Sequence, residues 1–437
     1  MKHNIECITD LESQDASIKG IVKWSHIEQF YNQDKNNANF VYAPVLTDHH
    51  IHPNMKQQMR VKLAAQVFSH SVAAGILAKI ASNELPNEAH ATATFVKKMD
   101  DLFDSINADS PDLRRGKKYS CNLTMRSPHL ALYKDMRKFI SSMKYLSSRT
   151  TPPSQDGWIQ TLNAIERLWN NLQVQKVKSL STRRLNQDPL ENCFGCIRYH
   201  CGSNTNPTIS QFVAGIKTAI ITNLRHSGQN TNCEDDSATL ANNLLPFLTS
   251  NLEQEQQTYT EHTVSADNVE TLLANTVEAM DQATPEGQAC AYICGFIFKK
   301  LRHNECKDCL NIYVTKNIEA IHIFTSFKEY ETSNTSLNYI NKNVVVCVEK
   351  CAIVINNYLK NNAHTPQIRT NIMTSLGSVD FSFLNTCVNH FESNKRHIQN
   401  SIFYICVKRY IIIKNREMDE DEKKRALERK MKILQNK

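Results

Sequence analysis

The run Thr182-Arg183-Arg184-Leu185-Asn186-Gln187-Asp188-Pro189-Leu190-Glu191-Asn192-Cys193-Phe194-Gly195-Cys196-Ile197-Arg198 opens on two arginines and turns into a helix at its proline. Pro189 suits a first helical turn, where its missing N–H would be unpaired anyway, and Asp188 just before it is a cap residue. Glu191 then falls within the first turn. Two readings of these acids stand side by side. In one, Asp188 caps and Glu191 reciprocates at N3, a capping box. In the other, a carboxylate fixed on a helix beside a sheet holds one side of a divalent metal site, because Mg²⁺ needs hard oxygen ligands in a fixed array.

Upstream of this run the apolar spacing is helical. Trp24, Ile27, Phe30 and Tyr31 form one stripe. After Pro53 a long helix is expected to bury Met59, Leu63, Val67, Val72, Ile76 and Ile80 and to leave Lys56, Arg60, Lys62 and His70 polar. Thr92 or Thr94 is a candidate cap for a helix carrying Phe95, Met99, Leu102, Phe103 and Ile106, closed by Ser110-Pro111. Pro152-Pro153-Ser154 opens another with Trp158, Leu162, Ile165, Leu168 and Trp169 on one side. The first 170 residues therefore read as all-α. With 11 Gly and 12 Pro in 437 residues, a many-stranded β protein is disfavoured.

Downstream, 227–268 is polar enough to read as a linker, helical patterning resumes near Thr271, and the charged end reads as a solvated helix. The N-terminal MKHNIECITDLESQ lacks an apolar signal core, and Ser401 to Lys414 is broken by Lys408 and Arg409, so neither a signal peptide nor a membrane span is expected. Fourteen cysteines without a secretory signal read as reduced thiols. The net charge of +7 suits a polyanionic partner without establishing one.

The central run, followed by Gly202 and Asn206-Pro207-Thr208, resembles the RLNQDPLENFFG-x-IR…G…NPT signature of the P element transposases and their THAP-domain relatives. The likeness extends to Pro44-Val45-Leu46-Thr47, to Met59 through Ser69, to Leu102 through Asn107, and to Ala291 through Gly295 with Cys306-x-x-Cys309. It implies a mainly α chain: an N-terminal extension (1–22), an all-α GTP-binding insertion domain (23–175), the C-terminal helical piece of an RNase H-like domain (176–226), the linker (227–268) and a helical C-terminal domain (269–437).

The resemblance further implies a DDE transposase that cuts and pastes DNA in a GTP-dependent way, in the nucleus, with Glu191 as the third catalytic acid and a ligand of Mg²⁺. The family's two catalytic aspartates and its zinc finger precede the insertion domain and are expected to be absent from this chain, which would leave it inactive by itself. Matched residue by residue, Phe103, Asp104 and Asn107 hold the guanine base, Arg60, Val61 and Ser69 meet the ribose and phosphates, and Asp188 borders the nucleotide. A ring face and a carboxylate that accepts from guanine N1 and N2 are what guanine selection requires. Val45 departs from the family, which has lysine there. On spacing alone Phe103 reads as a core aromatic, and Asp104 and Asn107 as a solvated face.

His303-x-x-Cys306-x-x-Cys309 is a compact His/Cys cluster, and Cys387-x-x-His390 with His397 could supply the other half of a tetrahedral Zn²⁺ site; Cys306, Cys309 and His390 are the chosen candidates. The competing reading is burial as small apolar residues, as expected for Cys290, Cys294, Cys347 and Cys351. Arg114-Arg115-Gly116-Lys117-Lys118, Lys176-x-Lys178, Arg183-Arg184 and Lys395-Arg396 suggest non-specific DNA phosphate contact. Three readings stay open: a transposase polypeptide, with transposon ends, target DNA and a homo-oligomer as partners; a GTP- and DNA-binding regulator; and a non-catalytic helical interaction protein.

Overall fold

The computed structural model describes residues 5–8, 19–37, 39–110, 117–146, 150–202, 204, 206–221, 284–301, 306–329 and 337–435. The expected linker over 227–268, His303 and the basic residues Arg114 and Arg115 lie outside the described residues. The chain is mainly helical, as expected. It divides into two compact units, one holding the described residues up to 32 and from 43 to 221, the other 33–42, 284–329 and 337–435.

In the first unit the helices are α1 (Trp24–Lys35, its first nine residues), α2 (Asp48–Ile51), α3 (Met55–Gln58), α4 (Val61–Val67), α5 (His70–Ala81), α6 (Ala89–Ile106), α7 (His129–Ser142), α8 (Pro153–Val174), α9 (Asp188–His200) and α10 (Ile209–Ile221). The all-α expectation needs a correction here. Strand β1 (Ile5–Ile8) lies between β2 (Lys19–Val22) and β4 (Lys144–Tyr145) in an antiparallel sheet, with Ile5 opposite both Val22 and Tyr145. A second pair joins β3 (Leu123–Thr124) to β5 (Ser179–Leu180). These strands are two to four residues long, and their pairing partners are distant in sequence, so no local period announces them. β1 packs on α7 and β2 on α6.

The single long helix expected after Pro53 is three. Met59 ends α3, the chain leaves helical geometry at Phe68 (ψ 59°) and Ser69 (ψ 153°), and α5 then starts at His70. By composition Val61–Ala81 is apolar enough to cross a membrane, yet half of it is buried within the unit, where α5 packs along α6. Helix α6 begins at Ala89, not at Thr92 or Thr94. Thr92 is buried, and its hydroxyl takes the backbone N–H of Lys23 (3.2 Å) and bonds His26 Nδ1 (2.9 Å), tying the start of α1 to α6. Pro152-Pro153 does open α8, which buries Leu162, Ile165 and Trp169.

The second unit is built on α11 (Pro285–Lys299), α12 (Lys307–Tyr313), α13 (Ile323–Phe327), α14 (Lys342–Asn362), α15 (Ile368–Ser375) and the 45-residue α16 (Phe391–Gln435). Thr284 caps α11 by accepting the Gly287 N–H at 3.1 Å. Glu286 takes the backbone amides of Asn39 and Phe40, and the Arg409 guanidinium donates to the carbonyls of Lys35 and Asn37 at 2.8 Å each. Cys290, Cys294, Cys347, Cys351 and Cys406 are fully buried among α11, α14 and α16, as small apolar residues are. Burial pushes the Cys406 thiol up to about 12.

Candidate functional site

The central run is stitched to the C-terminal end of α6. Residues Thr182–Leu185 form a 3₁₀ turn whose buried Thr182 hydroxyl donates to Ser105 O (2.9 Å) and accepts the Ala108 N–H (3.1 Å). The Ser181 hydroxyl and the Arg183 N–H both reach Ala108 O, at 3.1 and 3.0 Å, and the Asn186 side chain donates to Asn107 Oδ1 at 3.0 Å. Carbonyls at a helix C-terminus have no partners within the helix, so an outside donor is stabilising there. The run satisfies one of them, at Ser105, together with the Ala108 carbonyl just past the helix. Its next helix, α9, is thereby delivered to the end of α6 that carries Phe103, Asp104 and Asn107.

Helix α9 starts one residue earlier than the capping box requires. Gln187 is the N-cap, Asp188 the first helical residue and Pro189 the second, so Glu191 stands at the fourth position, its N–H bonded to Gln187 O at 2.9 Å. The reciprocal box is therefore not formed. The Asp188 side chain lies outside the described residues, and the Glu191 side chain is exposed. α9 packs on α10 through Cys196 and Ile197, at a place where a side chain on Gly215 would come within 2.8 Å of Cys201 Sγ and 3.1 Å of Ile197 O. Thr208 caps α10, its hydroxyl accepting the Gln211 N–H while Gln211 Oε1 accepts the Thr208 N–H at 3.0 Å.

Arg60, Val61 and Phe103 line one cavity of about 680 Å³, with mostly apolar neighbours that include Trp24, Phe68 and Trp158. Arg60 is the N-cap of α4 and Val61 its first residue; Ser69 is the N-cap of α5. Asp104 and Asn107 are engaged elsewhere. The Asp104 carboxylate accepts from Lys117 Nζ at 2.6 Å, and Asn107, the C-cap of α6, accepts from Asn186. Val45 is 55% exposed after Pro44.

Lys117 is also the cation for Asp100, which is buried one turn before Asp104. Burial pushes the Asp100 carboxyl up to about 7, against the pull of Lys117 and of the His70 backbone N–H and with the help of Asp104 and Asp101. Burial also works against the Lys117 ammonium, but these carboxylates outweigh it and hold its pKa above the ordinary value. Because the folded Asp100 pKa lies above its unfolded value of 3.8, the native state binds the extra proton between about pH 4 and 7, and stability is lost as pH rises through that window. The loss is at most about 1.4 kcal/mol per pH unit for one group. Asp100→Asn, neutral throughout, is expected to flatten this slope in denaturant titrations between pH 5 and 8; an unchanged slope would exclude Asp100 as its source.

In the second unit, Cys306 precedes α12, Cys309 lies within it, Cys387 ends a 3₁₀ segment and His390 closes the next. Their four ligand atoms lie within 4.8 Å of one another, a group that could hold a metal ion. Of the described residues, this is the one such group of three or more. Backbone N–H groups of Cys309 and Asp308 aimed at its sulfur lower the Cys306 thiol to about 7. His397, weighed with this cluster in the sequence, instead bonds Ile297 O at 3.0 Å and stands outside it.

A family model described as the TNP-like GTP-binding insertion domain matches residues 1–119, and one described as the TNP-like RNase H C-terminal domain matches 184–215. The Transposable element P transposase of Drosophila melanogaster is 29% identical over 264 residues, covering 59% of this chain and 34% of that protein. Over these stretches the chain is similar to the P element transposases. It spans about a third of the length of this curated relative. The Drosophila P element transposase strand transfer complex aligns over 50% of this chain and 47% of that one, with 22% identity and a TM-score of 0.42. The match over 184–215 covers Glu191, Gly202 and Asn206-Pro207-Thr208.

Sequence reading did not single out Lys117 as the partner of Asp104 and Asp100, because it reaches them across the loop after α6. Nor did it find Asn186 on Asn107. Asn394, whose side chain donates to Cys309 Sγ at 3.3 Å, lies four residues after His390, a helical spacing that could have pointed to it.

Proposed function

We propose that this chain is a P element-type transposase polypeptide that binds GTP through its insertion domain, contacts DNA, and carries in Glu191 one acid of a metal-dependent strand-transfer centre. The observation that supports it best is the docking of 181–186 onto the end of α6, which sets the helix of Glu191 beside the residues matched to the nucleotide base. Phe103, Arg60 and Val61 at one cavity fit a base and ribose, and Asp104 and Asn107, outside that lining and paired here with Lys117 and Asn186, would turn to supply the polar edge. Arg183, Arg184, Lys176 and Lys178 are the cations offered to DNA phosphates, a nuclear substrate. The Cys306, Cys309 and His390 cluster is, on this reading, a structural Zn²⁺ site of the C-terminal unit.

Two Mg²⁺ ions need several oxygen ligands in a fixed array, and Glu191 is one exposed carboxylate. The residues present do not fit that group by themselves. The 437-residue chain alone is therefore expected neither to cut nor to join DNA with Mg²⁺ or Mn²⁺ when assayed on labelled transposon-end duplexes. Metal-dependent strand transfer by this chain, abolished in Glu191→Gln, would overturn that expectation. A GTP- and DNA-binding regulator is the second reading, favoured by the cavity that Arg60, Val61 and Phe103 line.

A further inference from the structure

The cysteine–histidine cluster has the dimensions of a specific polyhedron. With Zn–S near 2.3 Å and Zn–N near 2.0–2.1 Å, a tetrahedron sets sulfurs about 3.8 Å apart and sulfur to nitrogen about 3.5 Å apart. Cys306 Sγ and Cys387 Sγ are 3.9 Å apart, and Cys309 Sγ and Cys387 Sγ 3.6 Å. His390 Nδ1 stands 3.6 Å from Cys309 Sγ and 3.4 Å from Cys387 Sγ. These four of the six edges, of both kinds, match, and all six are within 4.8 Å.

Buried thiols also approach one another without a metal. Cys290 and Cys294 do so at 3.9 Å, but they are four residues apart on α11, and the helix alone brings them together. No such constraint joins Cys309 to Cys387, which are separated by 78 residues. The imidazoles differ as well. The ring nitrogens of His397 and of His322 Nε2 bond carbonyl oxygens, of Ile297 and Ile340, whereas His390 turns Nδ1 toward two sulfurs.

Resting on the reading of this cluster as a metal site, we infer that Cys306, Cys309, Cys387 and His390 together hold one Zn²⁺ in a closed Cys₃His tetrahedron that staples α12 to the start of α16. Cys387 is the fourth ligand and His397 is not one. Three thiolates and an imidazole are soft donors that select zinc over Mg²⁺ or Ca²⁺, and C-x₂-C with C-x₂-H is zinc-ligand spacing. All four positions are filled by protein, so no place remains for a water nucleophile, and the ion is structural. The Asn394 side chain, completely buried on the first turns of α16, donates to the Cys309 sulfur and orients it.

The test uses the full chain purified without chelator. Elemental analysis is expected to find about one zinc per chain, and Co²⁺ exchanged into the site should show tetrahedral visible bands with thiolate charge transfer. Cys387→Ser should lose the ion or alter the cobalt spectrum, His397→Ala should retain both, and Asn394→Ala should keep zinc with roughly ten- to a hundredfold weaker affinity. Should Cys387→Ser not fold, the wild-type cobalt spectrum and the His397→Ala and Asn394→Ala pair still decide the matter. A chain free of any metal, with a melting temperature indifferent to chelator, sinks the metal reading itself. Bound iron, an octahedral cobalt spectrum, or loss of metal in His397→Ala would leave a metal site but overturn this ligand set or this ion.

Discussion

Asp104→Ala is expected to erase the preference for GTP over ATP, a change of roughly ten- to a hundredfold in relative affinity. The carboxylate accepts from the N1 and N2 donors of guanine, whereas adenine presents an acceptor at N1 and would leave a carboxylate oxygen unpaired. Lys117, 2.6 Å from Asp104, pairs with that carboxylate at the end of α6. The phosphate side is weaker. Val45 stands where the family has lysine, and a charge-assisted contact contributes about 1.5–3 kcal/mol. Val45→Lys should therefore raise GTP affinity about ten- to a hundredfold, and the 55% exposure of Val45 lets an ammonium sit there without burial. Titration calorimetry on the folded chain measures both. If neither the native chain nor the lysine variant binds GTP, the insertion domain is a helical scaffold, and the nucleotide reading falls.

Trp169→Ala should cost the first unit about 3–5 kcal/mol. Trp169 is wholly buried on the face of α8 that also buries Leu162 and Ile165, and that helix packs along α7, which buries Tyr133, Met136, Phe139 and Ile140. Removing an indole from such a site forfeits its transfer free energy and leaves a cavity that fixed helices cannot close. Since domains are stable by only about 5–15 kcal/mol, the variant should unfold at markedly lower denaturant. A loss under about 1 kcal/mol would show that α8 is peripheral to the core.

Features set by neighbours in the chain were legible. Pro152-Pro153 opens a helix because proline fixes its own φ and lacks a donor that the first turn does not need, whatever surrounds it. The stripe Trp24, Ile27, Phe30 and Tyr31 proved buried, or half-buried at Trp24, because a 3.6-residue period puts those side chains on one side of any helix. The thiols of Cys290, Cys294, Cys347 and Cys351 were expected in the core and are there. The same local logic misled where distant partners intervened. Thr92 looks like a cap, but His26 and Lys23, 66 and 69 residues away, hold its hydroxyl inside the bundle. The apolar pattern from Met59 to Ile80 runs on through Ser69, where the backbone turns extended and α4 and α5 part.

By itself the sequence determined the helical class, the first-turn proline of α9, the family to which 182–198 points, and the residue types able to bind a metal or a base. Proline stereochemistry, side-chain period and donor chemistry act within a few residues, so composition and spacing carry them. Only the tertiary structure decided that 181–186 docks on Ser105, Asn107 and Ala108 at the end of α6, that Lys117 serves Asp104 and Asp100 together, and that Cys387 rather than His397 joins Cys306, Cys309 and His390. Each of these is a contact across a loop or across some eighty residues. Such contacts form where packing of the whole unit leaves the least unpaired polar group and the least unfilled space, a condition that no local stretch of sequence states.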